Sequence, residues 1–449
     1  MKKKISVFIN NKIKKFNKKI KIPSDKSCSI RAALFASQCI GISKIKNLLE
    51  SEDVINCLNA LRSLKVKITK NKGIYKVYGN GLGSFKTKKK NKIFVGNSGT
   101  TARLLAGFLA TQKGKFYMYG DKSMDRRDMS RVFNPLEKIG AFFYPEGKKT
   151  LPITIQGTTI PLAQTHVENL GSAQVKSSLL AAFLNTPGIS TIEEKKASRN
   201  HSEILLKKIS ADIKIKKEKK INFISLKGKK NLYAFDYTVS SDPSSAAFLI
   251  TLALLTPGSR LTINNCLCNK SRIGFIKILK EKMKANIKIK NLRKVSGETV
   301  GSIIVKSSNL KSLICPKDSV PYIIDELPIL FVIAGLTKGV SKFKSINEAT
   351  KKESNRIEEM RKIFIQIGVF CKSTKDSIII KSKGNINFKK KSIIVKTDGD
   401  HRICMASVIL ALVTGIKTKI ENFETVNTSF PNFVSLIKSI GGKIEVKKN

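Results

Sequence analysis

Six segments of this chain open in the same way, and that repetition constrains the fold more than any other feature. They begin at Lys26, Asn97, Ser172, Asp242, Asp325 and Asp400, between 70 and 83 residues apart by subtraction. Each starts with small or charged polar residues and runs into an apolar stretch: AALFASQCIG, ARLLAGFLAT, KSSLLAAFLN, SSAAFLITLALL, LPILFVIAGL and CMASVILALV. Each then meets a glycine: Gly41, Gly114, Gly188, Gly258, Gly339 or Gly415. A short β-rich run follows, then a second amphipathic stretch such as SRVFNPLEKIGA or NRIEEMRKIFIQIG. Alternating runs around turn residues close the units (VKITKNKGIYKVYGNG, IKIKKEKKINFISLKG, SIIIKSKGNINF), and their period-two spacing reads as β-hairpins. A period this long belongs to a small α/β subdomain. The unit is strand, helix, strand, helix and hairpin, or βαβαββ.

Six units divide into two domains of three. The expected boundaries are residues 23–243 for one domain and residues 1–22 with 244–449 for the other. The first helices lack the wide polar face of a surface helix, so they are expected to be buried on most sides, with the sheets outside. The chain would cross between domains near residues 22–24 and 240–244. Two crossings without a long linker predict a hinge, and a cleft that closes on a ligand.

The formal charge is +53, from 85 Lys and Arg against 32 Asp and Glu. A basic nucleic-acid-binding repeat protein is one reading of that charge. The lysines are scattered in runs such as KKEKK, KTKKKNK and NFKKKS, with no aromatic interleaving for base stacking. Lys, Ile and Asn are all over-used, as in a chain drifting toward AT-rich codons, so no nucleic-acid partner is expected. Eight cysteines and three histidines show neither a CxxC pair nor a zinc-ligand spacing, and no metal is expected. The longest apolar run, Ala246–Leu255, falls short of the ~20 residues that a membrane span needs. The basic N-terminus has no apolar core of a signal peptide. The expectation is a cytoplasmic chain, monomeric and without a membrane partner. GxxxxGK[ST] spacing is absent, which argues against nucleotide hydrolysis.

The polar openings carry the chemistry. A helix N-terminus favours an anion through its unpaired N–H groups and its dipole. The first helices start with Lys26, Ser27 and Arg31; with Gly99, Thr100, Thr101 and Arg103; with Ser172 and Gln174; with SSDPSS; with Asp325 and Glu326; and with His401 and Arg402. Second helices add Arg126, Arg127 and Arg131, then Ser198 to His201, then Lys352, Glu353 and Arg356. If the starts face one another across a cleft, the ligand is small and multiply anionic. Arginine suits carboxylate and phosphate, and Asp325 and Glu353 amid these cations are the candidates for proton transfer.

Taken in order, PSDKSCSIR, LLESEDVINCLNAL, GNSGTTARLL, GDKSMDRRDMSRVFNPLEKIGA, SAQVKSSLL, SRNHSEILL, DPSSAAFL, DELPILFVIAGL, KKESNRIEEM, GDHRICMA and TSFPNF resemble the 5-enolpyruvylshikimate-3-phosphate (EPSP) synthase family over nearly the whole chain. GDKSMDRR and SAQVKSS look closer to its second sequence class. The resemblance implies the enolpyruvyl transferase fold, an inside-out α/β barrel of two domains with three βαβαββ repeats each. It implies transfer of the enolpyruvyl group of phosphoenolpyruvate to the 5-hydroxyl of shikimate 3-phosphate, with phosphate released and no metal or organic cofactor. Carried over by position, Lys26 would touch both substrates. Ser27, Arg31, Ser172, Ala173, Gln174 and Lys352 would hold shikimate 3-phosphate, with Ser198 and Arg199 near its phosphate. Gly99, Arg127, Gln174, Arg356 and Arg402 would grip phosphoenolpyruvate. Asp325 would accept the 5-hydroxyl proton, and Glu353 would move a proton at the methylene carbon with His401 nearby. Ile30, Asn200, Asn355 and Thr428 depart from the family pattern. A sister transferase acting on a UDP-sugar would carry a reactive cysteine near residue 120, where this chain has GDKSMDRR.

Overall fold

The computed structural model describes residues 4–86, 91–384 and 390–448. The lysine runs KTKKKNK and NFKKKS fall partly outside these residues. The chain forms two compact units. The N-terminal unit is Ser24–Ser240 with Lys294–Glu298; the C-terminal unit is Met1–Pro23 with Ser241–Arg293 and Thr299–Asn449. The chain therefore passes between units at Pro23–Ser24 and at Ser240–Ser241. The excursion at Lys294–Glu298 was not expected from the sequence.

In the N-terminal unit, three four-stranded sheets share one plan. Their strands, in spatial order, are Asp236–Thr238, Ile40–Lys46, Ile74–Asn80 and Lys67–Asn71; Asn91–Phe94, Gly114–Tyr119, Ile153–Gly157 and Phe142–Tyr144; and Thr165–Glu168, Ile189–Glu194, Ile221–Lys227 and Asp212–Glu218. In each sheet the first pair is parallel and the rest antiparallel. A parallel pair needs a crossover, and in the second and third sheets the first helix of the repeat supplies it. The first sheet takes its parallel strand from the far end of the unit, at Asp236–Thr238. The helices are α1 (Lys26–Ala36), α2 (Glu52–Ser63), α3 (Gly99–Ala110), α4 (Ser130–Ile139), α5 (Ala173–Phe183) and α6 (His201–Lys208). Cys28 to Ala36 of α1 and Val175 to Phe183 of α5 are buried without a break. By contrast α4 buries only Val132, Phe133, Pro135, Leu136 and Ile139, one face of an amphipathic helix.

The C-terminal unit repeats the plan. Its sheets run Ile287–Val295, Glu298–Lys306, Arg260–Leu267 and Asn17–Ile20; Gly339–Lys344, Ser377–Ser382 and Phe370–Ser373; and Ser392–Val395, Lys417–Ile420, Ile5–Ile9 and Glu445–Lys448. A single parallel bridge, Ile314 to Lys342, stands in the three-stranded sheet where the other sheets have an entering strand. Strands from the start of the chain complete two of these sheets. The helices are α7 (Pro243–Leu255), α8 (Gly274–Glu281), α9 (Val320–Ile323), α10 (Leu327–Leu336), α11 (Arg356–Ile367), α12 (His401–Thr414) and α13 (Phe433–Ser439). One apolar cluster joins α7, α10 and α12, with Phe248, Phe331, Phe364 and Phe433 among its largest side chains. Burying a side chain of that size contributes about 1.5–3 kcal/mol.

The six repeat glycines all adopt positive φ, from 73° at Gly258 to 130° at Gly114. Gly415 caps the end of its helix, and the others lie in the short link to the next strand or at its start; at each, the positive φ is a backbone conformation in which a Cβ is strained. Among the described residues no single helix is long and apolar enough to cross a membrane.

Candidate functional site

In the N-terminal unit, side-chain caps open the three first helices. Asp25 accepts from the Cys28 amide at 2.8 Å, Ser98 from Thr101 at 3.2 Å and Ser172 from Val175 at 3.3 Å. A serine cap satisfies one N–H without adding charge, so the starts of α3 and α5 keep their attraction for an anion. Lys26, the first residue of α1, reaches the Asp53 carboxylate of α2 at 2.8 Å. Arg127 donates to the Asn97 backbone oxygen at 3.2 Å, to the Asn97 side chain, and to Ser123 at 3.2 Å. These contacts hold its guanidinium beside Gly99: a Cβ built at Gly99 would lie 3.3 Å from Arg127 Nη1 and 2.7 Å from Arg103 Nη1. Gln174 ties two helix starts together. Its Oε1 accepts from Arg103 at 2.6 Å, and its Nε2 donates to Thr100 at 3.0 Å. Ser27, Ser172, Ala173 and Arg199 are half-buried in this unit.

Two of the expected ligands also make bonds within the unit. Arg31 is 4% exposed and donates through Nε to Ser202 at 2.9 Å, through Nη2 to Ser177 at 2.9 Å and through Nη1 to the Ser27 carbonyl at 3.2 Å. Burial lowers its pKa, and nearby Cys28, Asp25 and Glu203 oppose that. Ser198 gives its hydroxyl proton to Glu194 at 2.6 Å.

The C-terminal unit gathers the second set. Asp325, just before α10, has Arg356 Nη1 at 3.7 Å, Lys352 Nζ at 3.9 Å and Arg402 Nε at 4.0 Å. Arg356 opens α11 and is almost fully buried. It binds Glu353 at 2.6 Å and Asp400 at 2.8 Å. Burial alone would lower its pKa; the carboxylates of Asp400, Glu353 and Asp325 outweigh burial and hold it above its ordinary value. Arg356 Nη1 is a buried nitrogen with no hydrogen-bond partner among the described residues, and it is the one aimed toward Asp325. Asp400 also caps α12 by accepting from the Arg402 amide at 2.8 Å. His401 begins that helix and is buried. Three carboxylates and three cations thus share one small region.

Seven of the eight cysteines are buried, and burial pushes Cys39, Cys57 and Cys404 up to about 12. Cys28, His201 and Glu298 bring ligand-type atoms within 4.8 Å of one another. The contact between His201 Nδ1 and Glu298 is 2.6 Å, closer than the roughly 3.3 Å between two ligands of one tetrahedral zinc ion. As it stands, this is a charge-assisted hydrogen bond.

A sequence profile of EPSP synthase (3-phosphoshikimate 1-carboxyvinyltransferase) matches residues 10–437. The chain belongs to the EPSP synthase family. It is 37% identical over 427 residues to the 3-phosphoshikimate 1-carboxyvinyltransferase of Acidiphilium cryptum, with 95% of each chain covered. It is 36% identical over 441 residues to that of Zymomonas mobilis, covering 98% of this chain and 97% of the other. Its structure matches EPSP synthase of Acinetobacter baumannii with a TM-score of 0.84 at 34% identity, over 99% of this chain and 100% of the other. The enolpyruvyl transferase NikO of Streptomyces tendae shares the fold, with a TM-score of 0.78 at 10% identity over the full length of both chains. As an EPSP synthase family member the chain is an enzyme, a transferase of the shikimate pathway.

For an EPSP synthase family member, two departures have local explanations. Ile30 is fully buried in the apolar surround of α1. Asn355 still caps α11, accepting from the Glu358 amide at 3.2 Å. Asp53, Arg103, Glu194 and Asp400 were not assigned roles from the sequence. Asp400 had a signal in its place directly before an apolar helix, since that position calls for a cap.

Proposed function

We propose that this chain transfers the enolpyruvyl group of phosphoenolpyruvate to the 5-hydroxyl of shikimate 3-phosphate and releases phosphate, a step toward chorismate and the aromatic amino acids. The observation that carries the residue roles is Asp325, with three cations at 3.7–4.0 Å. Both substrates are polyanions, and the arginines and lysines offset their carboxylate and phosphate charges. Asp325 takes the proton of the 5-hydroxyl as that oxygen bonds to C2 of phosphoenolpyruvate. Glu353, oriented by Arg356, delivers a proton to C3. The tetrahedral adduct then loses phosphate from C2, and the same proton site takes a proton back from C3 to restore the double bond. His401 lies beside the Asp400 cap in this machinery.

Lys352, Arg356 and Arg402 hold anionic groups in the C-terminal unit. In the N-terminal unit the same work falls to Lys26, Ser27, Gly99, Arg127, Ser172, Ala173, Gln174 and Arg199. Arg31 spends one donor each on Ser27, Ser177 and Ser202 and offers its remaining N–H groups to shikimate 3-phosphate. The chain acts as a monomer in the cytoplasm; sedimentation equilibrium giving a mass other than 49.8 kDa would contradict the first part.

The deciding assay follows phosphate release by the purified chain. Release that requires both phosphoenolpyruvate and shikimate 3-phosphate is expected. Release from phosphoenolpyruvate alone, or none with both present, would refute the proposal.

A further inference from the structure

Beneath the polar face of the N-terminal unit lies a buried chain of charges that the reaction itself does not use. Lys176 is the fourth residue of α5 and is fully buried. Its ammonium lies 2.7 Å from Glu194, at the end of strand Ile189–Glu194, and 2.7 Å from Glu203 of α6. Glu194 is almost saturated. One oxygen accepts from Lys176, from the Ser198 amide at 3.0 Å and from the Ser198 hydroxyl at 2.6 Å; the other accepts from Asn222 at 2.8 Å. Isolated charges at this depth would be very costly, so the trio persists because it is paired. Burial lowers the Lys176 pKa, but Glu203 and Glu194 outweigh it and keep the ammonium charged.

The direction of one bond decides what Ser198 does. Its hydroxyl proton goes to a carboxylate, so toward anything else the oxygen offers lone pairs only. A phosphate oxygen also brings only lone pairs, which makes Ser198 a poor phosphate ligand in this arrangement. Glu194 instead grips Ser198 at both its amide and its hydroxyl. This pins the link between the strand and α6, and Arg199 is the next residue along. Arg199 lies close enough to Arg31 to lower its pKa.

We propose that Glu194, charge-balanced by Lys176, is a positioning residue for shikimate 3-phosphate: it clamps Ser198 so that the adjacent Arg199 is held ready for the phosphate. This rests on the proposed function and sharpens it. Ser198 is the anchor of the clamp, and Arg199 is the contact.

The test measures shikimate 3-phosphate binding by calorimetry, and KM for each substrate, in Glu194→Gln, Ser198→Ala, Arg199→Ala and the double variant Glu194→Gln/Arg199→Ala. The clamp predicts at least a tenfold weaker Kd for shikimate 3-phosphate in each single variant. The phosphoenolpyruvate KM should stay within twofold, and the double variant should be little worse than Arg199→Ala. A merely structural role would lower the melting temperature and move both KM values together, and its effect would add to that of Arg199→Ala. Glu194→Gln leaves a buried ammonium with one partner fewer; if it fails to fold, Ser198→Ala, which keeps the Lys176 pairs, decides alone. Unchanged shikimate 3-phosphate affinity in folded Ser198→Ala, or additive losses in the double variant, would overturn the clamp while leaving the reaction standing. A wild-type chain that does not bind shikimate 3-phosphate would overturn both.

Discussion

Replacing Asp400 by asparagine separates the two tasks of its side chain. Asparagine caps a helix about as well as aspartate, so the bond from the Arg402 amide survives. The charge facing Arg356 does not. Arg356 is 1% exposed and loses its 2.8 Å partner at Nε, keeping Glu353 at 2.6 Å and Asp325 at 3.7 Å. Breaking a buried pair costs about 3–5 kcal/mol. With two carboxylates remaining, the lower end applies, about 3 kcal/mol. For a unit of this size that is a fall of roughly 6–12 °C in melting temperature. Asp400→Ala should lose about 1 kcal/mol more, because the cap goes as well. Calorimetric melting of the three proteins checks the order. At a temperature where all are folded, kcat/KM for phosphoenolpyruvate should fall at least tenfold in Asp400→Asn, since the Arg356 guanidinium is no longer fixed. A melting temperature within 2 °C of wild type together with an unchanged kcat/KM would refute this account of Arg356.

Asp325→Asn should lower kcat by about 10²–10⁴, the range for a removed general base, with both KM values within a few-fold; full activity would remove Asp325 from that role. In Gly99→Ala the new methyl would crowd the tips of Arg103 and Arg127, at 2.7 and 3.3 Å. Initial rates should show about a tenfold higher KM for phosphoenolpyruvate and little change for shikimate 3-phosphate, and an unmoved KM would detach Arg127 from that substrate. Cys39, Cys57 and Cys404 are pushed up to about 12 by burial, so the folded state favours their neutral thiols. Their stabilising contribution is complete below about pH 8.5, the ordinary thiol value, and is lost as pH rises toward 12. A thiol reagent at pH 8 should leave all three unmodified until urea unfolds the chain, and labelling at the rate of a free thiol would contradict their burial.

The repeat was legible because its two signals are strong and local: an apolar run with no polar face, and a glycine that must turn the chain at positive φ. The completion of the sheets was less so. Asp236–Thr238 is three residues long and Ile5–Ile9 is five, too short for periodicity to name their partners. The excursion of Lys294–Glu298 leaves no mark in composition. In the site, the helix openings announced themselves by the density of Arg, Lys, Ser and carboxylate. What sequence could not show is which internal bonds these groups make. Arg31 and Ser198 sit in polar openings like the others, and they also donate to Ser202, Ser177, Ser27 and Glu194. Lys176 stands among Gln174, Ser177 and Ser178, which give no sign of its burial, and its partners Glu194 and Glu203 lie 18 and 27 residues away by subtraction.

The central claim is that a carbon–oxygen bond forms between the two substrates. Carbon-13 NMR of [2-13C]phosphoenolpyruvate incubated with shikimate 3-phosphate and the enzyme observes that bond directly. The account predicts a new enol ether carbon that grows in step with inorganic phosphate. Labelled pyruvate in its place, or a phosphoenolpyruvate signal that never changes, would contradict it.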